Sequence, residues 1–100
     1  MEIKLVKFVN GEEILGEVTD LQNTIHIKNP IRVVIMPPSA VNPKPSVGFA
    51  DWIPYVKEKE FVLDKKDILF VKEPVDEFIT QYKAIFTGLA LPEKPKLILS

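Results

Sequence analysis

The chain has 100 residues, 46% hydrophobic and 27% charged, the ordinary proportions of one folded domain. A disordered, collagen-like or low-complexity chain is thereby excluded. Thirteen basic residues against fourteen acidic ones leave a net charge of -1, which excludes a uniformly basic nucleic-acid clamp but not a local basic patch.

Ile3, Leu5 and Phe8 alternate imperfectly with Lys4 and Lys7, the pattern of a strand. Asn10-Gly11 then signals a hairpin turn. Ile14-Leu15 opens a second strand that runs through Val18. Gly16 inside it predicts a bulge, a bend or a close backbone approach. Asp20-Leu21-Gln22-Asn23 reads as a turn. Thr24 to Lys28 alternates polar and apolar, so one face of this third strand is buried and the other wet. Asn29-Pro30 interrupts the ladder before Ile31 to Met36 resumes it. Ile31 to Ile35 is apolar on both faces, which predicts cover on both sides.

Four prolines between Pro37 and Ser46 exclude helix and central strand there, leaving a stiff extended loop. Val47 to Tyr55 is strand-like, with Pro54 near its end. Lys57-Glu58-Lys59-Glu60 reads as a solvated connector. Phe61-Val62-Leu63 and Ile68 to Val71 are short strands around the charged turn Asp64-Lys65-Lys66-Asp67. Val75, Phe78, Ile79, Tyr82, Ile85 and Phe86 fall on one helical face. Pro74 suits a first helical position, Asp76 and Glu77 suit the first turn, and Gly88 suits a terminator. A helix is predicted over 74–87. In the tail, 88–100, Leu97-Ile98-Leu99 is either an edge strand or loose. The fold class is mainly β: a small, strongly bent, five-stranded antiparallel barrel over about 1–73, followed by one C-terminal α-helix.

The chemistry available is narrow. There is no cysteine, hence no disulfide, thiolate metal site or cysteine nucleophile. His26 is the sole histidine, so a clustered imidazole site is impossible. Ser39, Ser46 and Ser100 lack a nucleophile elbow, and no glycine-rich phosphate loop occurs. Asp64 and Asp67 read better as a solvated turn than as a catalytic pair. No catalytic residue, cofactor or metal ligand is expected, and the chain is not expected to be an enzyme. An N-terminus that enters strand-like sequence at once, no spanning apolar run and no cysteine predict a cytoplasmic protein without a membrane partner.

Asn10-Gly11-Glu12-Glu13-Ile14-Leu15-Gly16-Glu17-Val18 resembles the opening of the first motif of Sm and LSm proteins, relatives of bacterial Hfq. That motif has a turn glycine, a second glycine five residues on and an apolar residue two later. Gly11, Gly16 and Val18 satisfy it, and Ile25 and Ile27 fall on the next apolar positions. Ile68 to Val75 is similar to the second motif, an apolar run followed by a basic residue. Trp52-Ile53-Pro54-Tyr55 and Glu73 to Glu77 further resemble small Sm-like proteins of phages of marine cyanobacteria. Two departures stand out. There is no room for the family's N-terminal helix, and a helix follows the barrel instead.

The resemblance implies a homo-oligomeric ring of roughly five to seven subunits, closed by edge-strand pairing. It implies single-stranded RNA as partner, in RNA chaperone or regulatory work on phage or host transcripts. If phage-encoded, the protein would work in the host cytoplasm. The family's RNA site uses an acidic residue, a stacking residue and an asparagine, where this chain has Gln22, Thr24 and His26. Lys72 is the nearest match to the second motif's arginine. Threonine offers no stacking face, and one lost stack costs about 1–3 kcal/mol per base.

Each implied RNA-binding residue also has a plain structural account. Gln22 and Asn23 either read base edges or close a turn. His26 either meets a base or is an exposed strand histidine. Lys72 either pairs with phosphate or is a solvated strand end. Trp52 and Tyr55 are expected in the core or a subunit interface rather than on bases. The alternative function is a protein-interaction or structural ring that has lost RNA binding and docks a host or phage protein.

Overall fold

The computed structural model describes residues 2–41, 43–87 and 96–98. Strands β1 (Glu2–Phe8), β2 (Glu13–Asp20) and β3 (Thr24–Met36) form an antiparallel meander. β4 (Ser46–Asp51), β5 (Glu60–Asp64), a 3-10 turn (Lys65–Asp67) and β6 (Ile68–Lys72) follow. Helix α1 (Asp76–Thr87) and β7 (Lys96–Ile98) complete the described chain. The sheet order is β6-β1-β2-β3-β4-β7, with β5 also paired to β3.

The antiparallel, bent sheet with a C-terminal helix is the expected architecture. The described sheet has seven strands rather than the expected five, because β4 and β5 pair with separate parts of β3 and β7 adds an edge. β4 pairs with residues 31–36 of β3, and β5 pairs with residues 24–28. Between them the chain leaves the ladder after Asp51, short of the expected Tyr55. Pro54 in this segment has no N–H to donate to a ladder. β7 is an added edge strand on β4, with Ser46 opposite Ile98. Leu99, Gly88 and the rest of the expected tail lie outside the described residues.

The bend in β3 comes from one bulge. Leu15 pairs with Ile31, but Glu17 pairs with Lys28, so Asn29 and Pro30 stand opposite Gly16 alone. The extra residue therefore belongs to β3. Asn29 takes a left-handed φ of 53°, which its short polar side chain tolerates. Gly16 supplies the close approach: a Cβ there would lie 2.6 Å from Cγ1 of Ile27. At the β1–β2 turn, Gly11 has φ 94°, and the Asn10 carboxamide accepts the Glu12 N–H at 2.9 Å.

The bend sorts apolar residues into two cores. Val6, Phe8, Ile14, Val18, Ile25 and Ile27 fill the barrel interior, with Trp52, Phe61, Leu63 and Ile68 packed against them. Trp52 stacks on Phe8 at 5.6 Å and meets Phe61 edge-on at 5.2 Å. It is thus a core residue, whereas Tyr55 is 86% exposed. Leu15, Ile31, Val47 and Phe49 form the second core, against Tyr82 of α1. The Tyr82 hydroxyl donates to the carbonyls of Asn29 (2.8 Å) and Lys28 (3.2 Å), tying α1 to the bulge.

Three expectations change in detail. α1 begins at Asp76 rather than Pro74, because the Val75 carbonyl accepts the first helical bonds, from Phe78 and Ile79. Val75 accordingly lies off the buried stripe and Pro74 is buried ahead of the helix. The expected cover on both sides of Ile31 to Ile35 is incomplete: on one face Ile31 is buried and Val33 half-buried but Ile35 is 60% exposed, and on the other Arg32 is exposed. The connector before β5 is braced: the Lys59 ammonium donates to the Ile53 carbonyl at 2.8 Å, and its own carbonyl accepts from Asn29 N–H.

Candidate nucleic-acid interface

Two turns far apart in sequence meet at one end of the barrel. The 3-10 turn begins where the Asp64 carboxylate accepts the Lys66 N–H at 2.9 Å, capping it. The Lys65 N–H donates to the Asn23 carbonyl at 3.1 Å. The Lys65 ammonium reaches the Gln22 carbonyl at 3.2 Å and the Asp20 carboxylate at 2.6 Å. Lys65 thus pins the β2–β3 turn to the β5–β6 turn through three contacts. Lys66 stands beside it, largely in solvent, with a 4.0 Å approach to Asp64.

Gln22 and Asn23 are exposed at the tip of this end, with their backbone carbonyls engaged by Lys65. Thr24 and His26 lie on the strand face opposite Ile25 and Ile27, which enter the barrel core. His26 sits between Thr19 of β2 and Val62 of β5 in the ladder. Its Nε2 is 3.1 Å from the Glu60 carboxylate. Thr24 pairs with Asp64 at the margin of the two turns. Gln22, Asn23, Thr24 and His26 therefore share one end of the molecule.

Lys72 does not join them. It ends β6 opposite Leu5, about 13 Å along the strand from Ile68 at ~3.3 Å per residue. The cations that meet Gln22 and Asn23 are Lys65 and Lys66. Sequence reasoning saw that basic pair but read it as a solvated turn. The usable signal was its place between the last two strands of the barrel, where a turn must fold back toward the β2–β3 turn.

The same end carries a cavity of about 480 Å³ between β1, β2 and β6, with Lys65 among its lining residues. Among the described residues, no group of three or more His, Asp or Glu side chains is placed to hold a metal ion. No helix among them is long and apolar enough to cross a membrane.

Among curated proteins no sequence matches this chain. The family model of the Sm-like domain matches residues 5–83, from β1 through most of α1. That span holds most of the bulged meander, both joined turns and most of the helix tied to the bulge, and the chain belongs to the Sm-like family.

Proposed function

We propose that this protein is a non-catalytic, homo-oligomeric ring that binds single-stranded RNA at its joined-turn end. One observation carries the proposal: Lys65 locks the two turns together, so the Gln22 and Asn23 amides and the Lys65 and Lys66 ammonium groups share one rim. Sm-like proteins in general form rings that bind RNA. In this chain Gln22 and Asn23 would meet base edges, and Thr24 and His26 would line the strand face behind them. Lys65 and Lys66 would meet phosphates, and Lys72, a strand's length away, a further nucleotide. A ring of roughly five to seven copies multiplies these few cations, which suits a chain of near-zero net charge. The resemblance to phage proteins extends the proposal to chaperone or regulatory work on phage or host transcripts in the cytoplasm.

The test is fluorescence anisotropy of short labelled RNAs over a salt series. A Lys65→Ala/Lys66→Ala double variant is expected to weaken binding at low salt. It should also flatten the plot of log affinity against log salt by about 1.4, at ~0.7 per lost phosphate contact on single strands. His26→Ala is expected to weaken binding without changing that slope. No affinity of the parent protein at low salt would overturn the proposal.

Three exposed apolar residues of the edge strand β6, Leu69, Phe70 and Val71, favour a second reading, a ring that docks a protein. Pull-down with and without nuclease separates the two: a defined partner kept after nuclease supports this second reading, and RNA lost with nuclease supports the first.

A further inference from the structure

We propose that Glu60 is a positioning residue for RNA: its carboxylate holds the His26 imidazole so that His26 offers an acceptor and selects bases that present an N–H donor. This inference rests on RNA being the ligand of the adjoining rim. Strand register brings the groups together. β5 runs antiparallel to β3, with Lys28 opposite Glu60, His26 opposite Val62 and Thr24 opposite Asp64. These side chains share the outer face, because Ile25, Ile27, Phe61 and Leu63 alternate with them and pack in the barrel core. Across β2, Thr19 stands opposite His26 and Glu17 opposite Lys28. Glu60 is thus the diagonal neighbour of His26, within reach of a long side chain. Its carboxylate turns to His26, with Oε1 3.1 Å from Nε2. Among the described residues it makes no ion pair with Lys28, although Lys28 stands directly opposite.

This contact decides where the imidazole proton sits. A carboxylate presents only lone pairs. A bare Nε2 at 3.1 Å would set lone pair against lone pair, so Nε2 carries the hydrogen. In the neutral ring Nδ1 is then the acceptor. Among the described residues Nδ1 has no hydrogen-bond partner, yet no buried side-chain nitrogen or oxygen is left without one, so Nδ1 meets solvent. Val62, in the neighbouring strand, is 66% exposed, an apolar surface beside the acceptor for the face of a base. An N–H on the base edge, such as the adenine N6 amino group, satisfies this acceptor, and a methylated one does not.

The sign of the effect separates positioning from charge. A carboxylate close to RNA repels phosphate, so on charge alone its removal strengthens binding. Positioning predicts the reverse. The experiment uses the full-length protein at one salt concentration and mildly alkaline pH, with fluorescein-labelled oligoadenine and oligouridine RNAs. Each is paired with a version methylated at the donor, N6,N6-dimethyladenosine or 3-methyluridine. The parent is expected to bind an unmodified RNA roughly 3- to 10-fold tighter than its methylated counterpart, the effect of one hydrogen bond. Glu60→Ala is expected to weaken binding of the unmodified RNA by a similar factor and to erase the discrimination, as His26→Ala does. Glu60→Gln, whose carboxamide oxygen accepts the Nε2 hydrogen, is expected to restore both to within about twofold. Long-range proton–nitrogen NMR of the imidazole should show Nε2–H in the parent and in Glu60→Gln, and a larger share of Nδ1–H in Glu60→Ala.

Sedimentation velocity on each variant separates positioning from assembly. Glu60→Ala binding as tightly as the parent, or tighter, overturns the inference. So does a parent that binds methylated and unmodified RNA alike, or a loss of binding seen only where the oligomer dissociates. If the parent binds no RNA at all, the proposed function fails as a whole. If it binds and Glu60 acts only as a charge, the positioning role alone fails.

Discussion

Gly16→Ala is the sharpest test of how the bend is made. A methyl group there would sit 2.6 Å from Cγ1 and 2.7 Å from Cδ1 of Ile27, and 3.2 Å from the Lys28 carbonyl oxygen. Ile27 is fully buried in the barrel core, so its side chain has no free direction in which to retreat. Overpacking of this kind costs about 1–3 kcal/mol. For a chain of this length that corresponds to a melting temperature lower by roughly 4–24 °C, at about 4–8 °C per kcal/mol. Urea unfolding followed by circular dichroism, at one fixed protein concentration so that assembly contributes equally, measures the loss. A double-mutant cycle isolates its cause. Ile27→Ala alone costs about 2–5 kcal/mol through the cavity it leaves. In the double variant the methyl added by Gly16→Ala enters that cavity, so the combined loss should fall short of the sum by about 1 kcal/mol or more. Additive losses, or a Gly16→Ala protein as stable as the parent, would refute the close-approach account of the bulge.

Three further outcomes follow from the packing. Burial first, and the nearby Glu17 carboxylate second, raise the Tyr82 phenol well above its ordinary value near 10. Its stabilising contribution is therefore complete below pH ~10 and fades as pH rises further, whereas Tyr82→Phe carries no such dependence. The stability gap between parent and Tyr82→Phe, about 1 kcal/mol for the lost hydrogen bond, should narrow above pH ~10; parallel curves would argue against the buried-phenol account. Asn29→Ala should cost about 1–2 kcal/mol in urea unfolding because of the left-handed backbone, and Asn29→Gly should recover most of it. Equal losses in both would place the cost in the side chain instead. Trp52→Ala should approach the ~3–5 kcal/mol of a buried aromatic truncation, while Tyr55→Ala should stay within about 0.5 kcal/mol. Thermal melts of the two variants side by side check the contrast.

Local features were legible in the residues alone. Asn10-Gly11 marks a turn that needs a positive φ, and Gly11 adopts one. The spacing of Phe78, Tyr82 and Ile85 marks a helical stripe, and these residues cover Leu15, Ile31 and Phe49. Thr24 to Lys28 alternates because Ile25 and Ile27 enter the core and their neighbours do not. Such signals depend on backbone conformation and periodicity within a few residues. They report which face of an element is apolar, but not what covers it. Ile35 shows the limit: its strand is apolar on both faces, yet its side chain stays exposed among the described residues.

The candidate site depended on distant pairing. The β2–β3 turn and the 3-10 turn lie more than forty residues apart, and Lys65 meets the Gln22 carbonyl only because the sheet closes on itself. That closure rests on the two-against-one bulge of Asn29-Pro30 opposite Gly16, where a shift of one residue would exchange the faces of everything beyond it. Sequence spacing carried the glycine but not which strand held the extra residue. For the same reason it favoured Lys72, at the end of an apolar run, over Lys65 in the turn before it. Lys4 and Lys65 are unremarkable in sequence and line one cavity only because the sheet closes on itself. The residues themselves determined the strands, the turns, the helix and the family they resemble. Register and bending, set by contacts among residues far apart in the chain, decided which side chains share a site.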